Sequence, residues 1–183
     1  YVCVTGGADI SDYSEQLFAV KLQPPFVTGY GMQACVPTIS LGHIGAYKLK
    51  SVGEYVSEHI DVRIDSVSPA RIAGEVLVKG DCVFPGYYKN QEATDSVFTE
   101  DGWFKTGDLG TIDRDNTLFL VGRSKSMILS SNGQNIYPEE IEVVLNNMPF
   151  VAESLIVSRK EKLVALVVLD QNALGDAGTD AEN

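Results

Sequence analysis

The chain has 183 residues, enough for one domain or two unequal ones and for a substantial buried core. Hydrophobic residues make up 44% and charged residues 21%, and 25 acidic against 14 basic residues leave a net charge of −11, which argues against nucleic acid or an anionic membrane surface as a partner. Cys3, Cys35 and Cys82 form no C-x-x-C pair and His43 and His59 are the only histidines, so neither a zinc site nor a disulfide scaffold is expected, and the inventory suits a reducing, cytoplasmic compartment.

Residues 1–5 are apolar and β-branched, with neither the basic flank nor the long apolar run of a signal peptide, and read as a strand broken by Gly6-Gly7. Tyr13, Leu17 and Val20 then follow at helical spacing, so strand, glycine turn and helix make an α/β unit, which places ligands at the carboxyl ends of its strands. After Pro24-Pro25 a short apolar run leads into Gly29-Tyr30-Gly31. From about residue 50 to residue 122 the pattern is β: Ile60-Asp61-Val62-Arg63-Ile64-Asp65 alternates, 75–79 is a second strand, and 118–121 is a third after the turn Asp113-Arg114-Asp115-Asn116. Short strands with glycine-rich turns predict a small barrel or sandwich, with a small β-barrel as the expected form. Beyond residues 122–125 the pattern changes. Tyr137-Pro138-Glu139-Glu140 opens a helix with Ile141, Val144, Leu145 and Met148 as its apolar stripe, and 151–158 and 163–169 read as two strands. The expected organisation is a larger domain over 1–122, a small α+β domain over 123–170, and a disordered polar tail over 171–183. No apolar run approaches the ~20 residues needed to span a bilayer.

Singly, the candidate site motifs have plain readings. Gly6-Gly7-Ala8 suits any tight turn. Asp101-Gly102-Trp103-Phe104-Lys105-Thr106-Gly107-Asp108 places acids beside glycines where a strand is expected to end. Asp108 there can accept two hydrogen bonds from a ribose diol, or simply cap a turn. In Gly122-Arg123-Ser124-Lys125-Ser126, the Arg123 fork suits a ribose or phosphate oxygen, or an ion pair between domains. The loop from Ser130 to Gly133 lets backbone approach a ligand closely.

The order of these motifs is far more specific than any one of them. GGA, GYGM, GEVLVKG, GYYKN, DGWFKTGDLG, GRSKSMI and SNGQNIYPEEIE, from about Thr5 to Asp170, resemble the adenylate-forming superfamily of acyl-CoA synthetases, adenylation domains and luciferases, most of all a bacterial long-chain fatty acid–CoA ligase. The resemblance implies ATP, Mg²⁺, a fatty acid and coenzyme A: a carboxylate is joined to ATP as an acyl-adenylate, a small domain rotates, and the acyl group passes to the thiol. It places Gly6, Gly7 and Ala8 along the adenine and acyl pocket, Tyr30 on the adenine ring, Gly31 and Gln33 beside the nucleotide, Asp108 on the ribose hydroxyls, and Arg123 at the ribose or phosphate. It makes Lys125 the hinge and Gly133 part of the pantetheine path.

Three departures qualify it. Neither the family's lysine-bearing phosphate loop nor its C-terminal catalytic lysine occurs in the sequence, which suggests an inactive fragment of a larger ligase. GYGM is followed by Gln33-Ala34 where the family has Thr-Glu, and Ala34 offers a metal no oxygen, so no metal ligand is assigned. A catalytically dead nucleotide- or acyl-binding module, or an adenylation domain serving a carrier protein, are the alternatives.

Overall fold

The computed structural model describes residues 2–7, 10–55, 58–130, 134–160 and 162–176. The chain divides into two units, Tyr1–Ser124 and Lys125–Asn183.

In the first unit β1 (Cys3–Gly6) pairs in parallel with β2 (Phe26–Tyr30), Gly6 lying opposite Gly29. A parallel pair needs a crossover. Helix α1 (Asp12–Glu15) and the π-helical stretch Gln16–Leu22 supply it. The π-turn is wider than an α-turn, and the expected stripe loses its register: Tyr13 and Val20 are exposed. The buried residue is Glu15, 3% exposed, whose Oε1 accepts hydrogen bonds from the Tyr47 hydroxyl and the Lys50 amide. A 3₁₀ turn, Gln33–Cys35, follows β2. Strands β3 (Ser40–Leu41) and β4 (Glu54–Tyr55) complete a sheet of order β1-β2-β3-β4.

The second sheet has order β5-β6-β7-β8, all antiparallel: Ile60–Asp65, Gly74–Gly80, Phe104–Ile112 and Leu118–Arg123. Alternation in β5 buries Ile60 and Ile64, while β6 buries Val76, Leu77 and Val78 in succession. Between β6 and β7 lies α2 (Gln91–Val97), capped by Asn90, whose side chain accepts the Ala93 amide at 3.0 Å. It carries no apolar stripe that would announce it in the sequence.

The expected barrel does not form. The four-stranded sheet stays open, β5 and β8 remaining unpaired with each other, and β8 has other partners on its outer edge. The Val52 amide donates to Leu118 O and the Leu118 amide to Gly53 O, each at 2.9 Å. The same strap, residues 51–53, accepts at Ser51 O from the Thr28 hydroxyl (2.6 Å) and at Val52 O from the Ser40 hydroxyl (2.7 Å). It therefore sews β2 and β3 to β8, and one core of Tyr30, Cys35, Ile39, Ile60, Ile64, Val76, Val78, Phe104 and Leu118 spans both sheets.

Just before the strap, Lys48 Nζ donates to Asp113 Oδ2 (2.7 Å), Asp115 Oδ2 (2.7 Å) and Thr117 Oγ1 (2.9 Å) in the turn between β7 and β8.

In the second unit β9 (Ile128–Leu129) pairs with β10 (Asn135–Ile136), and β11 (Val151–Arg159) with β12 (Lys162–Leu169), all antiparallel. Helix α3 (Pro138–Asn146) opens on Pro138 with Glu139 and Glu140 in its first turn. Its Glu142 side chain accepts the Ile156 amide of β11 at 2.7 Å. The expected stripe is only partly covered, since Val144 and Met148 are exposed. Residues 171–176 form a helix, α4 (Gln171–Asp176), in place of the disorder expected there, and 177–183 lie outside the described residues.

Burial disfavours the charge on Asp113, but Lys48 and the amides of Thr117 and Asp115 outweigh it and hold the carboxyl below its ordinary value of 3.8. A carboxyl whose folded pKa is depressed contributes stability above its unfolded pKa, and that contribution is lost as pH falls through the folded value. Wild type should therefore melt above Asp113→Asn by a constant margin from about pH 5 to 8, and thermal melts should show the margin shrinking below about pH 4.

Candidate functional site

The carboxyl ends of β1 and β2 lie side by side because the two strands are parallel. Gly6 ends β1 and Gly7 follows it; Tyr30 ends β2, with Gly31 and Gln33 next along the chain. Gly31 is required by close packing, since a Cβ there would stand 1.7 Å from Pro37 O. Gln33 is exposed, whereas Ala34 packs against the core and its carbonyl accepts the Phe84 amide at 2.9 Å.

Asp108 sits inside β7. The stretch expected to end a strand continues through it, because a bulge absorbs the glycine. Leu77 faces Lys105 but Glu75 faces Leu109, so residues 106–108 carry extra length. Gly107 takes a positive φ of 77°, open to glycine without strain. Side chains replace the lost ladder bonds. The Thr106 hydroxyl donates to Val76 O (2.8 Å) and accepts the Asp108 amide (3.1 Å), and Glu75 Oε1 accepts the Gly107 amide (3.1 Å). Bulges re-aim side chains. This one aims Asp108 at β2.

The Asp108 carboxylate, 6% exposed, is held from two sides. The Tyr30 hydroxyl donates to Oδ2 at 2.6 Å, and Arg123 Nε, on the cross-strand partner of Asp108, stands 3.2 Å from Oδ1. A buried charge needs such compensation. Burial first, then the Asp108 charge, push the Tyr30 phenol far above its ordinary pKa, so it remains a donor. The Tyr30 ring is part of the core.

The structure thus brings Tyr30, Asp108 and Arg123 together. Lys125 belongs to the second unit, in the turn after β8, while Ala8 and Gly133 lie outside the described residues. Thr106 and Glu75, which position Asp108, were not among the expected residues. The only sequence signal for Thr106 was its place in Thr106-Gly107-Asp108. Cavities of ≈ 430 Å³ (around Phe26, Tyr47 and Leu49) and ≈ 160 Å³ (around Ile128, Ser158 and Leu163) do not include Asp108. No cluster of three or more His, Cys, Asp or Glu side chains able to hold a metal occurs among the described residues.

No protein-family model matches the chain. It is 35% identical over 148 residues to the long-chain-fatty-acid–CoA ligase FadD15 of Mycobacterium tuberculosis, covering 79% of this chain and 23% of that protein. It is 33% identical over 183 residues to FadD13 of the same species, covering 94% of this chain and 36% of that one. The chain therefore spans about a quarter to a third of the length of these relatives. Among solved structures, o-succinylbenzoate CoA synthetase of Bacillus subtilis with its acyl-adenylate intermediate superposes with a TM-score of 0.81 at 29% identity, over 91% of this chain and 36% of that one. The same enzyme with ATP and magnesium gives 0.79 at 30% identity, over 92% and 36%.

Tyr30→Phe keeps the ring and removes the donor to Oδ2, leaving a buried carboxylate oxygen unpaired. Urea denaturation should show a loss of about 1–3 kcal/mol; an unchanged midpoint and slope would mean that water replaces the phenol.

Proposed function

We propose that this chain, which belongs to the adenylate-forming superfamily of acyl-CoA synthetases, carries the ribose-binding side of the active site of an ATP-dependent acid–thiol ligase. The observation that carries the reading is the buried Asp108 carboxylate. It offers about four acceptor positions; Tyr30 and Arg123 occupy two, and a vicinal ribose diol needs two. Tyr30 holds the carboxylate in place, and the largely exposed Arg123 side chain is available to a ribose or phosphate oxygen.

On this reading ATP activates a carboxylic acid as an acyl-adenylate, and coenzyme A then accepts the acyl group. The names of the two mycobacterial relatives support a fatty acid and coenzyme A as substrates. The bound states of the Bacillus synthetase support ATP and the adenylate. Gly6 and Gly7 line the nucleotide at the strand ends, with Gly31 and Gln33 nearby. The two steps require different surroundings for phosphorus and for the acyl carbon, which gives a hinge at Lys125 its purpose. Adenylation is proposed for the full-length protein that contains this sequence.

Magnesium does not fit at the position the family uses for it: Ala34 supplies no oxygen donor and packs against the apolar core. This observation favours a second reading, a binding module that has lost catalysis. Fatty-acid-dependent ATP–pyrophosphate exchange by a full-length protein containing this sequence separates the two: turnover supports the ligase, and nucleotide binding without exchange supports the module.

Asp108→Asn tests the shared premise. Losing a charge-assisted hydrogen bond costs about 1.5–3 kcal/mol, roughly ten- to a hundredfold in Kd. Calorimetric titration with AMP should show that weakening; unchanged affinity with a lowered melting temperature would reduce Asp108 to a structural residue.

A further inference from the structure

Lys48 lies outside the ribose site, yet its ammonium is saturated. Its three N–H bonds go to Asp113, Asp115 and Thr117, in the turn that closes the β7–β8 hairpin. That turn is already ordered from within, Asp113 Oδ1 accepting the amides of Asp115 and Thr117 at 2.9 Å each. It therefore meets Lys48 as a preformed socket. On the other side, Lys48 O accepts the Ser51 amide at 3.1 Å, where the strap begins. The strap in turn holds Thr28, two residues before Tyr30 in β2, and Leu118, the first residue of β8. The strands of the hairpin that Lys48 grips carry Asp108 and Arg123.

We propose that Lys48 is a positioning residue for the ribose site: by clamping the β7–β8 turn to the strap that is bonded to β2, it sets Asp108 opposite the Tyr30 hydroxyl. The clamp touches no ligand and acts only through the hairpin. Its importance to function rests on the nucleotide reading of Asp108, but its effect on Tyr30 does not. An ordinary surface ion pair would contribute little and would act on overall stability alone. What distinguishes the clamp is a local effect at Tyr30, across the seam between the two sheets.

The test uses the full chain with tyrosine labelled by ¹³C at Cζ, in mixed H₂O and D₂O, where a slowly exchanging hydroxyl splits the Cζ signal. Tyr30→Phe and Tyr47→Phe assign the buried hydroxyls. In Lys48→Met the Tyr30 hydroxyl should exchange about tenfold faster or more, while the Val76 and Val78 amides keep their protection. Lys48→Arg, which keeps the charge and several donors, should recover most of the slow exchange. The proposal is overturned if Lys48→Met leaves the Tyr30 hydroxyl unchanged, or if the core amides accelerate as much as the hydroxyl does. Should Lys48→Met fail to fold, Asp115→Asn removes the most exposed of the three partners and must still quicken Tyr30 exchange, to a smaller extent; no change there also overturns the proposal. AMP titration of the same variants is a separate arm. If AMP affinity is insensitive to Asp108→Asn, the nucleotide reading fails, while hydroxyl exchange still decides the clamp.

Discussion

A carboxylate kept out of water governs the first unit. The Asp108 side chain is almost wholly enclosed, an arrangement that is costly for a carboxylate unless partners offset the lost water. The partners come from distant parts of the chain: a phenol 78 residues away and a guanidinium one strand over. The guanidinium comes from the neighbouring strand of the same sheet, but the phenol reaches Asp108 only if the two sheets meet at the correct offset, so the buried carboxylate makes their junction a requirement of this arrangement.

That junction is made chiefly of main chain. The strap at 51–53 offers carbonyls to the Thr28 and Ser40 hydroxyls and forms two amide bonds with Leu118, so it behaves as an extra strand shared by both sheets. It explains why the second sheet stays open. An edge that would have to find β5 to close a barrel is already paired. The bulge at 106–108 follows the same logic at the opposite end of the hairpin, where Thr106 and Glu75 replace the ladder bonds that straight pairing would have made. Regular pairing is given up where the chain turns the Asp108 side chain toward Tyr30, and local side chains satisfy the backbone left over.

The strands at 60–65 and 75–79 and the helix opening at Pro138 were legible because alternation and capping are local signals. Asp108, Arg123 and Tyr30 stood out individually through a motif order spread along nearly the whole chain. Their convergence did not, since a hydrogen bond between residues 30 and 108 leaves no periodicity in sequence. The barrel was misread for a related reason. Strand count and turns are visible in sequence, but whether an edge is occupied depends on a strap without repeating pattern. The first helix misled because a π-turn breaks the 3.6-residue spacing on which the apolar stripe at Tyr13, Leu17 and Val20 depended.

Holding a nucleotide and reacting it make separable demands, and on the proposed reading this chain carries residues for the first. Ribose recognition needs fixed acceptors, which a buried, doubly held carboxylate provides without any change during reaction. Adenylation also needs positive charge or a metal against the phosphates as bonds form and break. At Ala34 the chain presents a methyl group toward an apolar core and a carbonyl committed to Phe84. Placing a carboxylate there would set a charge against the apolar core beside the buried Cys35, so the departure is built into the packing as well as into the sequence. On the proposed reading, any charge stabilisation at the phosphates must therefore come from groups outside the 33–35 turn, whereas the ribose contact is complete in Tyr30, Asp108 and Arg123.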